Sequence, residues 1–229
     1  MRECPNQLGN KMFIINCKNY EEVAGEKIIK LAKTAEKISK KYKISIAIAP
    51  PHHLIPLITK FKILILAQHV DDKKIGSTTG FMIPEILKKS KIDGSIINHS
   101  EHRISEKEIV SLIKRLKKIK LKTILCVKNV NEAKKYAKLN PTFIAIEPPE
   151  LIGTGRAIST ERPTLITNAV QAVKNSKNST KLLCGAGIVS GQDVEKAIEL
   201  GSKGILVASG IIKAKKWEKI ITEFCEALV

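Results

Sequence analysis

Eight times along this chain a short run of apolar, often β-branched residues gives way to a stretch with helical spacing, and no other feature restricts the possible folds as much. The apolar runs fall at residues 12–15, 44–49, 63–67, 92–97, 123–127, 143–146, 182–184 and 204–207. Runs that are apolar throughout suit strands buried on both faces, as in a parallel sheet covered by helices, and not the alternation of a sheet with one wet face. The intervening stretches carry helix signals. Ile28, Leu31, Ala32, Ala35 and Ile38 recur at helical spacing among lysines; Ser105 with Glu108 and Ser190 with Asp193 make capping boxes; Pro84 stands where a first-turn proline opens a helix.

No linker or change of composition interrupts the repeat, so one domain is expected over residues 12–229. An α/β fold closed into a (β/α)8 barrel meets the pattern most economically, because closure leaves no sheet edge and buries both faces of every strand. An open doubly wound sheet is the structural rival. Residues 1–11 are polar, contain Pro5 and Gly9 and follow neither period, which predicts a flexible N-terminal extension.

With 40 basic and 22 acidic residues the formal charge is +18, so nucleic acid, an anionic membrane and an anionic small molecule are all possible partners. The lysines are spread over amphipathic helices, as at Lys30, Lys33, Lys37, Lys40 and Lys41, and 4% aromatic residues leave little to stack on bases. A solvated outer face, with no nucleic-acid partner, is the expectation. No apolar run reaches membrane-spanning length and no signal peptide is visible. Five scattered cysteines, never spaced as Cys-x-x-Cys, predict a reduced cytoplasmic protein without disulfides, metal site or cofactor.

The chemistry-bearing residues stand at strand ends, which in a barrel of this kind all meet at the C-terminal rim. Asn16, Cys17 and Lys18 end the first strand, His99 the fourth and Glu147 the sixth. Pro148 and Pro149 then make a stiff post, and Gly153-Thr154-Gly155 a pliable tip, so that an acid lies beside a lid. The small-residue turns Gly185-Ala186-Gly187 and Ala208-Ser209-Gly210 follow strands seven and eight, where backbone N–H groups commonly hold phosphate in this fold.

Together these residues resemble triosephosphate isomerase, and the resemblance covers residues 12–228. Asn16-Cys17-Lys18 matches its Asn-x-Lys motif, His99-Ser100-Glu101-His102-Arg103 is similar to its His-Ser-Glu-x-Arg motif, and Glu147-Pro148 with Ile152-Gly153-Thr154-Gly155 looks like its lid. The turns after strands seven and eight look like the compact archaeal phosphate loops. The resemblance implies that Glu147 is the base and His99 the electrophile, with Ser100-Glu101-His102 forming a helical turn behind the imidazole. Lys18 and Asn16 would assist, and Cys17, Ile152, Gly153, Gly187, Ala208 and Ser209 would complete the substrate and phosphate site. His69 follows Gln68 where many relatives carry Asn, and His102 stands where Arg is common; both are expected to be structural or surface residues, as are His52 and His53.

Two rivals fit less well. An epimerase or an aminoketose isomerase would want metal ligands or paired acids on other strands, and a nucleic-acid-binding barrel would set Glu147 against a polyanion. The resemblance further implies a homo-oligomer, a tetramer favoured over a dimer, in which the loop after strand three docks beside a neighbour's first loop. Ser77, Thr78 and Thr79 in that loop precede Phe81, Met82 and Ile83, an apolar run expected to be exposed.

Overall fold

In the computed structural model, which describes residues 11–229, the eight apolar runs are eight parallel strands that close on themselves in sequence order. The expected N-terminal extension, apart from Lys11, lies outside the described residues. The strands are β1 (Met12–Asn16), β2 (Ser45–Ala49), β3 (Leu64–Ala67), β4 (Gly94–Ile97), β5 (Lys122–Val127), β6 (Phe143–Ile146), β7 (Lys181–Gly185) and β8 (Gly204–Val207). The ring shuts where β1 pairs with β8, Met12 opposite Gly204.

Alternation along the strands sorts the core into two layers. Met12 and Ile14 join Leu66, Ile96, Ile124, Phe143, Leu183 and Leu206 inside the barrel. Phe13 and Ile15 belong to the larger layer between strands and helices. That outer layer is covered by α1 (Lys27–Tyr42), α2 (Ile55–Ile58), α3 (Pro84–Lys89), α4 (Glu106–Lys118), α5 (Val130–Ala137), α6 (Ile158–Glu161), α7 (Pro163–Lys174), α8 (Gly191–Glu199), α9 (Ser209–Ile212) and α10 (Trp217–Leu228). The predicted starts are present: Ser105 and Ser190 each accept the N3 backbone N–H in reciprocal capping boxes, and Pro84 opens α3. Phe13 and Phe224, both fully buried with ring centroids 5.8 Å apart, clasp β1 to α10.

Cover is thinnest over β2 and β3. Between β2 and β3 there are only a 3-10 turn, His52–Leu54, and the four-residue α2, and α3 has only six residues. Pro56 sits in the first turn of α2, where a missing N–H costs no helical bond. Leu57, Ile75, Phe81 and Ile86 are exposed on this side of the molecule. The loop between β3 and α3 is nonetheless pinned. Asp71 and Met82 exchange backbone and side-chain bonds at its base, and Arg115 of α4 reaches Glu85, Asp72 and the Lys73 carbonyl. Of the apolar run at its end only Phe81 is exposed. Met82 is half-buried and Ile83 tucks under the barrel at 4% exposure, because Pro84 turns the chain inward there.

Candidate active site

Inward alternation carries two polar side chains to the barrel mouth. In β1 residues 12 and 14 face in, so Asn16 does too; in β6 Phe143 and Ala145 face in, and Glu147, whose N–H still bonds to Val127, follows them. Strict alternation in β4 would turn His99 outward, since Ile96 faces in and Ile97 out. Asn98 intervenes with a left-handed φ of 58°, held by its side chain to the Cys126 carbonyl and the Ile104 N–H, and His99 returns over the mouth. Asn16, His99 and Glu147 are all buried, at 4%, 6% and 4% exposure.

The proton on His99 is located by a backbone contact. The Glu101 N–H donates to Nδ1 at 3.2 Å, so Nδ1 presents a lone pair and the ring N–H is on Nε2. That Nε2 lies 3.8 Å from Glu147 Oε2, which is buried without any hydrogen-bond partner. An unpartnered buried carboxylate oxygen is costly and marks a group kept free for something else. Two neighbours fix the rest of this side chain. A Cβ on Gly185 would sit 2.5 Å from Glu147 Cγ, so only glycine leaves the carboxylate its place. From β5 the Cys126 thiol bonds to it; burial first, and then the Glu147 charge, push that thiol well above its usual range and keep its proton.

Lys18 is in the left-handed region at φ 45°. Its N–H bonds to Asn16 Oδ1 at 3.1 Å, its carbonyl accepts from Gln68 Nε2 at 2.8 Å, and its ammonium meets Glu101 Oε1 at 2.6 Å. Across the cleft lie Ile152, Gly153, Gly187, Ala208 and Ser209. Gly187 has φ 72°, and a Cβ there would strike the Arg156 carbonyl, so the turn after β7 packs directly on the lid's far hinge. After β8 the short helix α9 opens at Ser209, and Ala208, Ser209 and Gly210 line the cleft.

A family model described as triosephosphate isomerase matches residues 11–224. The triosephosphate isomerase of Cenarchaeum symbiosum is 50% identical over 217 residues, 95% of this chain and 97% of that protein. Those of Methanocaldococcus jannaschii and Saccharolobus solfataricus are 42% identical over 213 residues and 43% over 214; each alignment spans 93% of this chain, and 97% and 94% of the respective relative. The chain belongs to the triosephosphate isomerase family. Like that family it is an isomerase on a closed eight-stranded barrel.

Against the resemblance to triosephosphate isomerase, the structure brings together every expected site residue but one. Cys17 is fully buried in the outer layer and does not line the cleft, because alternation sends residue 17 away from the side that 16 and 18 share. The segment after His99 is a single hydrogen-bonded turn, His102 N–H to His99 carbonyl at 2.9 Å, and α4 begins only at Glu106. Gln68 supports the Lys18 turn through the Lys18 carbonyl. Cys126 and Asn98 carried no signal as site residues; Glu101 had been placed in the histidine motif and Gly185 in the turn after strand seven, but neither for its contact with Lys18 or Glu147. Among the described residues no three His, Cys, Asp or Glu side chains converge as metal ligands, and no helix is long and apolar enough to cross a membrane.

Replacing Gly185 by Ala pushes the Glu147 carboxylate aside, and a misplacement near 1 Å costs about 10²-fold. Turnover in a coupled triose phosphate assay should fall by that order while far-UV circular dichroism is kept; unchanged turnover would mean that the carboxylate's place does not matter. A second expectation concerns acid. His52 Nε2 accepts the N–H groups of Gln68 and His69, and burial, then the His69 ring, lower its affinity for a proton below the ordinary 6.5. The unfolded chain therefore binds more protons just below pH 6.5, and stability present above that pH is lost as pH falls. Urea midpoints across this window should drop less in His52→Asn than in the parent.

Proposed function

We propose that the chain interconverts D-glyceraldehyde 3-phosphate and dihydroxyacetone phosphate with Glu147 as base and His99 as electrophile, in glycolysis and gluconeogenesis. The observation that carries this reading is the facing pair: a buried carboxylate oxygen without partner, 3.8 Å from an imidazole N–H. Glu147 removes the proton from the carbon beside the carbonyl. The electrons move to the carbonyl oxygen, which His99 Nε2–H and the Lys18 ammonium stabilise as an enediolate. The proton of the adjacent hydroxyl passes by way of His99 to that oxygen, and Glu147 returns its proton to the former carbonyl carbon, so that the carbon it first deprotonated becomes the new carbonyl. Triosephosphate isomerase is the standing example of a neutral imidazole used in this way. Asn16 holds the Lys18 turn, and the phosphate rests on N–H groups around Gly153, Gly187, Ala208 and Ser209, with Ile152 closing over it. No cofactor enters these steps.

The working unit in this reading is a homo-oligomer, a tetramer favoured over a dimer, in the cytoplasm. Free, buried thiols at the four described cysteines support a reducing compartment. The pinned loop with exposed Ile75 and Phe81, beside a cavity of about 650 Å³ lined by Lys18, Gln68, His69 and Glu101, supports an isologous contact in which each copy's loop enters the other's cavity.

Shortening the base by one methylene in Glu147→Asp should lower turnover by about 10²-fold at near-parental KM. A variant keeping more than half of parental turnover would remove Glu147 from the role. For the assembly, light scattering at micromolar concentration should give a mass of at least two chains, and Thr79→Arg should reduce both mass and activity on dilution. A fully active monomer would refute it.

A further inference from the structure

Two rim histidines with no part in the steps given above, His69 and His102, lie against each other. Their ring centroids are 3.8 Å apart and their planes 17° from parallel. Each ring ends a segment that holds one reacting group. Directly before His69, Gln68 holds the Lys18 carbonyl and the Ala49 carbonyl. Directly before His102, the Glu101 N–H holds His99 Nδ1, and the His102 N–H closes that turn on the His99 carbonyl. No other side-chain contact outside the Lys18–Glu101 pair links these two segments among the described residues.

We infer that the His69–His102 stack is a positioning device that keeps Lys18 and His99 at their mutual spacing. The inference rests on the roles given above to Lys18 and His99. His69 is 8% exposed; its Nε2 faces Asp71 Oδ1 at 3.3 Å, its N–H goes to His52, and its Nδ1 has no partner. A proton on Nδ1 would be a buried donor with no acceptor, and a proton on both rings would set two cations face to face across the stack. The charged groups around His69 act in opposite senses. Burial and the His102 ring hold its proton affinity down, while Asp71 and, more weakly, Glu108 of α4 raise it, and the net direction is down. Below pH 6.5 the stack therefore opposes the charge that acid imposes, and its hold on the two segments weakens.

His102 is exposed, so its replacement leaves the core untouched. His102→Ala removes the stack and should lower kcat/KM at neutral pH by about 10-fold with an unchanged melting temperature. His102→Phe keeps a ring over His69 without a titrating group and should stay within about twofold of the parent. The two enzymes share Glu147, His99 and the substrate phosphate, so the ratio of their pH profiles isolates the stack, and the Phe variant should gain on the parent below pH 6.5. Lys18→Ala in the same assay separates the two levels. If Lys18→Ala is crippled while His102→Ala matches the parent, or while the Phe and parent profiles superimpose, the stack has no positioning role. If Lys18→Ala itself retains parental activity, the reading of the site fails and this inference with it.

Discussion

Everything at the mouth of this barrel depends on the strict inward and outward alternation of strands that are buried on both sides. A closed parallel sheet cannot turn a strand over without moving its whole apolar set from one layer to the other, so the register of Phe143 and Ala145 decides where Glu147 points. The same holds for Met12, Ile14 and Asn16. The constraint is severe enough that the one cleft side chain on the wrong parity, His99, needs a residue in the left-handed region to bring it round. Asn is among the side chains that tolerate that region, and here its amide also finds two backbone partners that hold the turn.

The site concentrates features that elsewhere would only cost stability. Glu147 keeps an oxygen unpaired under burial, Lys18 bears a left-handed backbone, and Gly185 is restricted to the smallest residue by the carboxylate beside it. Such features persist only where surrounding structure over-determines them. For Glu147 that structure is β5 and β7, through Cys126 and Gly185. For Lys18 it is Asn16, Gln68 and Glu101, three polar groups from the end of β1 and the loops after β3 and β4. A carboxylate held by packing and a cation held by hydrogen bonds differ in what disturbs them: volume changes affect the first, charge changes the second.

This difference also explains what could be read from the sequence. Strands, capped helices and rim residues were legible because apolar runs, Ser-x-x-Glu or Ser-x-x-Asp boxes and strand-end polar residues are local signals. The two short helices after β2 and β3 left fainter marks: Pro84 signalled the start of α3, and α2 is a single turn, too short to show a period. Cys126 and Gly185 were illegible for another reason. A cysteine inside an apolar strand and a glycine after one look like ordinary core and turn residues until the neighbouring strand is known. Cys17 misled in the opposite direction, because its place between two cleft residues says nothing of the face its side chain takes. His69 and His102 were visible only as departures; that they are the two halves of one contact follows from the fold.

The thin cover over β2 and β3 and the polar network above it belong to one problem. Where α2 and α3 are too short to brace the rim by packing, its loops must be held by something else. The contacts found there are hydrogen bonds, ion pairs and a ring stack: Arg115 across the loop base, Gln68 to Lys18, Glu101 to Lys18 and His99, His69 to His102. Polar contacts at a half-buried rim are individually modest, each about 0.5–1.5 kcal/mol net. They are directional, however, and fix orientation more sharply than apolar contact does. A rim built this way is well placed by geometry but weakly insulated from solvent. Its exposed neighbours Ile75 and Phe81 stand where a second surface would exclude water from that same network, so the side least able to brace the cation from within is the side best equipped to be covered from without.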